Sequence, residues 1–314
     1  MMKTKVIAIV GPTASGKTSL SIEVAKNFNG EIVSADSMQI YKGMNIATAK
    51  PSEEEMQGIK HYLIDFLPAD KSYSVGQYVL DAQNAISDIV AKGKTPIICG
   101  GTGLYVDSLL NGIDFVENSS DDIIREELYL LLESNGIDYM LDMLRQFDPE
   151  SAERLTPERN PKRIIRAIEF YKTTGTTITE QNKKSKLNES VYEPLVFGLT
   201  AKDRQYIYDR VNKRVDIMLN DGLLDEAKTV LDSDLSDTAS KAIGYKQLQS
   251  YFDGTDELDA CVERLKTETR HYAKRQLTWF RRNDNINWIY IDELKSTDEQ
   301  FDSIKSIIRR FIYG

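Results

Sequence analysis

The chain of 314 residues has few of the residues that build disulfide-linked or metal-centred proteins. It contains two cysteines, Cys99 and Cys261, far apart in sequence, and two histidines. These numbers exclude a disulfide framework and a cysteine-based zinc site, and two histidines alone cannot form a histidine-rich metal site. No apolar run approaches the length of a membrane span, so we expect no membrane association.

Basic residues are also fewer than acidic residues. The chain has 40 lysines and arginines against 49 aspartates and glutamates, a net charge of −9. This excludes a surface that is basic throughout, but not local basic patches. The apolar stretch at residues 6–10 is too short for a signal peptide and runs into a glycine loop, which favours a strand. We therefore expect a cytoplasmic protein, monomeric because nothing resembles a coiled coil or an obligate interface.

Short apolar runs alternate with helix-length segments over the first hundred residues, a pattern typical of βαβ units. It predicts an α/β fold with a doubly wound parallel sheet. The predicted strands are residues 6–10, 31–34, 62–66, 96–99, 195–199 and 288–291.

This alternation stops between residues 116 and 193, where helical spacing dominates and no convincing strand is found. The polar stretch 176–193 is interpreted as a connector. We predict an all-helical insertion domain at residues 116–193, within a core formed by residues 1–115 and 194–314. Beyond it, the apolar spacing predicts a helix over residues 203–219, stopped by Gly222.

One glycine-rich segment carries the strongest functional signal. Residues 11–18, the phosphate loop, read Gly-Pro-Thr-Ala-Ser-Gly-Lys-Thr and match G-x-x-x-x-G-K-[ST] between a strand and a helix. Glycines let backbone N–H groups turn toward one anion, the helix N-terminus adds a positive dipole, and Lys17 supplies a mobile charge. Thr18 can hold Mg²⁺ against the phosphates. The segment predicts a P-loop site for a diphosphate or triphosphate.

The usual companions of an NTP-hydrolysing P-loop are missing. The strand at 96–99 runs into a Gly-Gly-Thr-Gly turn without the aspartate that would hold Mg²⁺ through water. That turn either aims the Thr102 hydroxyl at the phosphate or serves tight packing only. Asp36 follows the strand at 31–34 and is expected near the phosphate loop, as a proton acceptor, a metal ligand or a helix N-cap.

Seven motifs, in their order along the chain, resemble those of the bacterial tRNA dimethylallyltransferase family. The one departure is Pro161, where the family pattern has aspartate. The motifs are the phosphate loop, Asp-Ser-Met-Gln-Ile-Tyr at 36–41, Gly-Gly-Thr-Gly-Leu-Tyr at 100–105, Asn-Pro-Lys-Arg-Ile-Ile-Arg-Ala-Ile-Glu at 160–169, Arg-Val-Asp-Ile-Met at 214–218, Ile-Gly-Tyr-Lys-Gln at 243–247 and Tyr-Ala-Lys-Arg-Gln-Leu-Thr-Trp-Phe-Arg at 272–281.

The resemblance implies transfer of a dimethylallyl group from dimethylallyl diphosphate to the exocyclic amine of the tRNA adenosine immediately 3′ of the anticodon, position 37. It implies that Asp36 accepts the amine proton, that Thr102 donates to the leaving oxygen and that Arg214 is a second cationic clamp. From the residues alone, Arg214 could equally lie on a solvated helix face. Mg²⁺ would be held at Thr18, and the diphosphate at Gly11, Pro12, Thr13, Ala14, Ser15, Gly16, Lys17 and Thr18.

An acidic chain that binds tRNA needs a local basic surface. Residues 264–282 carry seven basic side chains and one acidic one, placed by a helical wheel opposite an apolar side. The alternative is an ordinary solvated face. A stacked adenine would have to be flipped out to react. With the resemblance, the residues predicted to contact an anticodon stem-loop are Asp36, Ser37, Met38, Gln39, Thr102, Arg125, Lys162, Arg163, Arg166, Lys241, Gly244, Tyr245, Lys246, Lys274, Arg275, Gln276, Thr278, Trp279 and Arg281.

Three other functions remain open from the sequence. One is an ATP-dependent small-molecule kinase that uses the helical insertion as a lid. Another is a prenyltransferase acting on free adenine nucleotides, which would not need the basic segment 264–282. The last is a nucleotide-gated RNA-binding module without catalytic activity.

Overall fold

The computed structural model describes residues 3–113, 121–187 and 190–314. In these ranges, six strands form one sheet in the order β3-β2-β4-β1-β5-β6, and all its pairings are parallel. The α/β class and the parallel sheet are therefore confirmed. The strands are β1 (Thr4–Val10), β2 (Gly30–Ser34), β3 (His61–Tyr62), β4 (Thr95–Gly100), β5 (Tyr192–Thr200) and β6 (Asn287–Tyr290).

Helices follow most of the strands. Among the described residues, every helix is too short or too polar to span a bilayer. They are α1 (Lys17–Asn27), α2 (Glu53–Met56), α3 (Val75–Ala91), α4 (Gly103–Leu110), α5 (Asp122–Arg145), α6 (Pro149–Leu155), α7 (Pro161–Thr174), α8 (Ile178–Leu187), α9 (Arg204–Asn220), α10 (Leu223–Leu231), α11 (Gln249–Phe252), α12 (Leu258–Phe280) and α13 (Thr297–Tyr313), with a 3₁₀ turn at Ala239–Lys241.

The sheet is buried on both faces. Along β1, Val6 and Ala8 pack into one apolar cluster while Ile7 and Ile9 pack into another. Side chains of α3, α4 and α12 join the first cluster, and side chains of α1 and α13 join the second. Burial on both faces explains why the strands are continuous apolar runs in the sequence, and it confirms the doubly wound arrangement.

The strand predicted at residues 62–66 is wrong except at its first residue. Leu63 and Asp65 have positive φ angles of 58° and 54°, which end the extended conformation after Tyr62. The backbone N–H groups that follow bond to the carbonyls of Gln39 and Ile40 instead. The apolar residues of this segment therefore belong to a loop that is held against residues 39 and 40.

The connector predicted at residues 176–193 is also wrong in part, because it contains α8 and the start of β5. The N–H of Glu180 donates to the Thr177 hydroxyl at 3.0 Å, and the N–H of Thr177 donates to the Glu180 carboxylate at 3.0 Å. Such a reciprocal capping box nucleates a helix even in a polar segment. The Thr-x-x-Glu spacing of residues 177–180 is the sequence feature that indicates the start of this helix.

The chain divides into two compact units, Met1–Leu110 with Val191–Gly314, and Asn111–Ser190. The described part of the second unit is helical, comprising α5 to α8, and it has an apolar core of its own. Within it the buried carboxylate of Glu169 accepts from Arg125 at 2.8 Å and from Arg166 at 3.2 Å. The Arg125 pair ties α5 to α7, and the Arg166 pair lies within α7.

A buried carboxylate in the first unit gives a testable pH dependence. Burial alone raises the pKa of Glu31, but hydrogen bonds from Lys94, Tyr62 and Lys92 outweigh it and hold that pKa at about 2 instead of 4.5. A carboxyl whose pKa is lowered by folding stabilises the protein above about pH 4.5 and loses that contribution as the pH falls toward 2.

We expect Glu31→Gln to lower the free energy of unfolding at pH 7 by about 2–3 kcal/mol, the order set by a shift of this size. The difference from wild type should shrink steadily between pH 4.5 and 2. Urea titrations at pH 7, 4 and 3 measure it. A difference that stays constant with pH would mean that the variant perturbs packing and not charge.

Candidate active site

Loops that follow three strands line a cavity of about 440 Å³. The strands β2, β4 and β1 are neighbours in the sheet, so their carboxyl ends bring together the phosphate loop, the Asp36 segment and the glycine turn after β4. Side chains from α9 and α12 complete the lining, among them Arg214 and Tyr272. The volume is in the range of small-molecule sites.

The phosphate loop has the geometry of an anion site. Gly11 has a φ of 143°, and a Cβ placed there would lie 2.6 Å from the carbonyl oxygen of Leu199, so only glycine fits. Residues 13–18 line the cavity, and the Lys17 ammonium folds over the loop to donate to the Pro12 carbonyl at 2.6 Å. Ser15 Oγ is buried and has no hydrogen-bond partner within the described ranges. The Ser15 hydroxyl is therefore a buried donor that a ligand could satisfy.

Lys17 is strongly perturbed. The pKa of its ammonium is lowered to about 8, mainly by burial and to a smaller extent by the nearby Arg214, while Cys99 and Asp36 act to raise it. A bound diphosphate would place negative charge beside the Lys17 ammonium and favour its protonated form. The protonation of Lys17 is thus expected to depend on whether an anion is bound.

Two arginines of α9 lie against the same loop. Arg214 donates to the Thr13 hydroxyl at 3.0 Å, and Arg210 donates to the Ala14 carbonyl at 2.7 Å. Burial, followed by repulsion from Arg210, lowers the pKa of Arg214. The solvated-face alternative for Arg214 is therefore wrong, since the side chain is half-buried and lines the cavity. Sequence reasoning missed Arg210, although its i, i+4 spacing to Arg214 placed both on one helix face.

Asp36 caps a turn, not a helix. Its Oδ1 accepts from the backbone N–H of Met38 at 2.9 Å and of Gln39 at 3.3 Å, and no helix begins there. The helix N-cap alternative is therefore wrong in detail, and Asp36 lines the cavity. Both bonds use Oδ1, and among the described residues no hydrogen bond is made by Oδ2.

Thr102 is tied to the Asp36 turn. Its Oγ1 accepts from the Ser37 N–H at 3.0 Å, and its own N–H donates to the Ala35 carbonyl at 3.1 Å. Its hydroxyl donates to Ser37 Oγ at 3.3 Å. Ser37 and Tyr272 line the cavity, and burial raises the pKa of Tyr272, whereas the half-buried Thr102 is not among the lining residues. Its predicted donation to the leaving oxygen stays a prediction.

Gln276 on α12 is buried and bridges two loops. Its Oε1 accepts from the Thr13 N–H at 2.8 Å, and its Nε2 donates to the Gly101 carbonyl at 2.9 Å. A Cβ at Gly101 would lie 2.1 Å from that nitrogen, which is the packing reason for the glycine. The amide of Gln276 thus holds the phosphate loop in place at the cavity lining, and its predicted tRNA contact stays a prediction.

Two aromatic residues predicted to contact tRNA have packing partners within the protein. Tyr245 is 2% exposed, and its hydroxyl donates to Glu226 at 3.0 Å, so its predicted contact stays a prediction that this burial does not support. The Trp279 indole N–H donates to Asp107 at 2.6 Å, and its ring covers Gly103 at the start of α4. Trp279 thereby fixes α12 on α4.

The basic segment 264–282 lies on α12 and just beyond it, but its cations do not all face solvent. Lys266 pairs with Asp216 at 2.7 Å and Arg270 donates to Asn212 at 2.6 Å, both on α9. Arg264 pairs with Asp256 at 2.7 Å. Three of the seven predicted cations thus have partners within the protein. The exposed cations of the segment are Arg264, Lys274, Arg275, Arg281 and Arg282, and Thr278 is exposed as well.

The remaining predicted tRNA residues fall into two groups. In the second unit Arg125 and Arg166 pair with Glu169, Arg163 pairs with Glu158, and Lys162 is exposed. In the first unit the structure places Ser37, Met38, Gln39, Lys241 and Gly244 on the cavity lining and Lys246 on the exposed surface.

Comparison with known proteins shows the family to which the chain belongs. The family model described as IPP transferase matches residues 39–283. A tRNA dimethylallyltransferase of Acetivibrio thermocellus is 45% identical over 308 residues, 98% of each chain. That of Bacillus subtilis is 47% identical over 287 residues, 91% of this chain and 90% of the relative.

Solved structures agree as well. A tRNA isopentenylpyrophosphate transferase from Staphylococcus epidermidis, 43% identical, aligns with a TM-score of 0.71 over 98% of this chain and 100% of its own. A eukaryotic dimethylallyltransferase acting on tRNA, 29% identical, aligns with a TM-score of 0.83 over 98% of this chain and 80% of its own. With the family model covering most of its length and relatives aligned along nearly all of it, the chain belongs to the IPP transferase family.

Proposed function

We propose that this protein transfers a dimethylallyl group from dimethylallyl diphosphate to the exocyclic amine of the tRNA adenosine immediately 3′ of the anticodon. The observation that carries the proposal is the cavity that holds an anion site and a carboxylate together, with the phosphate loop and Arg214 near Asp36. The names of the full-length relatives support the same reaction.

The donor diphosphate is bound by the loop N–H groups, Ser15, Lys17 and Arg214. The described residues contain no group of three histidine, cysteine or carboxylate side chains that could hold a metal alone. The Thr18 hydroxyl lines the cavity, so Mg²⁺ would be held by Thr18, diphosphate oxygens and water. The ion would neutralise part of the charge on the diphosphate.

In the reaction, the bond between the allylic C1 and the diphosphate oxygen breaks and a bond from the adenine nitrogen to C1 forms. The amine proton passes to Asp36, whose orientation is fixed by the N–H groups of Met38 and Gln39. The negative charge of the departing diphosphate is stabilised by Lys17 and Arg214, which already contact the loop. The protein thus supplies position, charge and a base.

The acceptor is bound in part by the exposed cations near the end of α12. We expect Lys274→Ala combined with Arg275→Ala to weaken tRNA binding and to flatten its salt dependence by up to about two log units per log unit of salt, one for each phosphate that is no longer neutralised. Donor affinity should change much less than tRNA affinity: Lys274 lies outside the cavity lining, and Arg275 lines the cavity but, in the described part of the chain, has no hydrogen bond to the phosphate loop. Binding titrations at several salt concentrations measure this.

The matched control is Arg309→Ala combined with Arg310→Ala. These two arginines are also adjacent, exposed cations, but they lie on α13. This pair should leave the salt slope of tRNA binding unchanged. Equal slopes in wild type and in the α12 variant would show that Lys274 and Arg275 touch no phosphate.

Donor choice tests the proposal against the kinase alternative, which none of the relatives described supports. Dimethylallyl diphosphate with Mg²⁺ should raise the melting temperature more than ATP with Mg²⁺ does; a ligand at a hundredfold its Kd stabilises by about 2.7 kcal/mol. A melting temperature that rises with ATP but not with dimethylallyl diphosphate would contradict the proposal. The same assay followed by product analysis with AMP as acceptor separates tRNA modification from prenylation of free nucleotides.

A further inference from the structure

The cavity lining is chemically divided. The phosphate loop and Arg214 supply cationic and hydroxyl groups, whereas many other lining side chains are apolar. The apolar lining residues outside the phosphate loop and α1 include Ala47, Val215, Met218, Ala242, Ile243 and Leu265. If dimethylallyl diphosphate is the donor, as proposed for this protein, the allyl group must extend from the cationic side along these residues.

Helix α9 orders the two parts in space. Arg210 and Arg214 contact the phosphate loop at Ala14 and Thr13. Beyond the helix end, Gly222 lies against Ile46, since a Cβ there would be 3.9 Å from the Ile46 Cδ1. Met218 lies one helical turn after Arg214, about 5.4 Å further along the axis. Met218 is half-buried and lines the cavity, and along α9 it lies between Arg214, which contacts the phosphate loop, and Gly222, which lies against Ile46.

The opposite boundary is the wall segment, residues 45–49, and it is held rigidly. The Glu226 carboxylate accepts from three successive N–H groups, those of residues 45, 46 and 47, at 2.8–2.9 Å. Gln39 Nε2 donates to the carbonyls of Thr48 and Ala49 at 3.2 and 3.0 Å. Gly244 packs on Ala47, where a Cβ would come within 2.7 Å of the alanine Cβ. A wall fixed by this many hydrogen bonds cannot move aside for a longer ligand.

We propose that Met218, opposed by the wall segment, limits the donor to a single five-carbon prenyl group. Arg214, which binds the diphosphate, and Met218, which blocks the path of the prenyl chain, are one helical turn apart. This distance of about 5.4 Å is close to the length of one isoprene unit. A second isoprene unit, as in geranyl diphosphate, would occupy the volume of the Met218 side chain. This rests on the proposed function and adds the residue that sets its donor specificity.

The test measures binding of dimethylallyl diphosphate, geranyl diphosphate and inorganic diphosphate to three proteins, and transfer of each prenyl group to an anticodon stem-loop. Wild type should bind geranyl diphosphate roughly tenfold or more weaker than dimethylallyl diphosphate. Met218→Ala should reduce that ratio by about tenfold and gain geranyl transfer. Met218→Leu, which conserves volume, should keep the wild-type ratio. Inorganic diphosphate should bind all three equally, which shows an intact phosphate loop.

The proposal is overturned if Met218→Ala binds inorganic diphosphate normally yet still rejects geranyl diphosphate, or if wild type binds both donors equally. Should Met218→Ala fail to bind inorganic diphosphate, the smaller truncation Met218→Val decides the same question, with an intermediate ratio expected. Absence of transfer to RNA by wild type, with the binding ratios as expected, would contradict the proposed function but not the chain-length filter.

Discussion

Asp36→Asn is expected to lower kcat for prenyl transfer by roughly two to four orders of magnitude, the usual contribution of a general base. Asparagine keeps an Oδ1 acceptor for the N–H groups of Met38 and Gln39, so the turn should persist. It cannot accept the amine proton. Single-turnover measurements with enzyme in excess report the chemical step.

Donor binding is the control for this variant. The Kd of dimethylallyl diphosphate should stay within a few fold of wild type, because Asp36 does not bond to the phosphate loop. A variant that reacts at the wild-type rate would show that Asp36 orders the turn and takes no part in proton transfer.

Lys17→Met is expected to weaken diphosphate binding by about 10- to 150-fold, the equivalent of one hydrogen bond to a charged group. The ammonium folds over the loop and contacts its Pro12 carbonyl, which places it against any bound anion. In wild type, donor affinity should also fall as the pH rises through about 8, the pKa to which burial lowers Lys17, since the free enzyme loses its positive charge there. Isothermal titration between pH 6.5 and 9.5 measures both effects.

Lys17→Met should have lost this pH dependence. If its affinity still declines through pH 8, another group is responsible, and the perturbed lysine is not the residue that responds to the donor. Lys26→Met, a change of an exposed lysine on the outer end of α1, should behave as wild type.

Features set by local rules were predictable from the sequence. The phosphate loop, its flanking strand and helix, and the parallel strands follow from glycine positions and apolar runs, which act over a few residues. The placement of Arg214 in the site could not be derived from its helix alone, but depended on α9 packing against the loop at Thr13. The resemblance to known sequences supplied that relationship.

Features set by distant contacts were not predictable. A helical wheel of residues 264–282 places Lys266 and Arg270 on the polar side of the helix. Their partners in the structure are Asp216 and Asn212 on α9, more than 45 residues upstream. Gln276 appeared in a basic segment as a surface residue, whereas the phosphate loop and Gly101 close around its amide. A single sequence does not show which polar residues meet across the fold.

One measurement tests the central claim most directly: nucleoside analysis by mass spectrometry of an anticodon stem-loop incubated with the enzyme, Mg²⁺ and labelled dimethylallyl diphosphate. The claim predicts one labelled nucleoside, an adenosine carrying a dimethylallyl group on its exocyclic nitrogen, at the position 3′ of the anticodon. A matched stem-loop with inosine there, which lacks the amine, should take up no label. Label on the inosine stem-loop, or no label on either RNA with an enzyme that binds the donor, would contradict the claim.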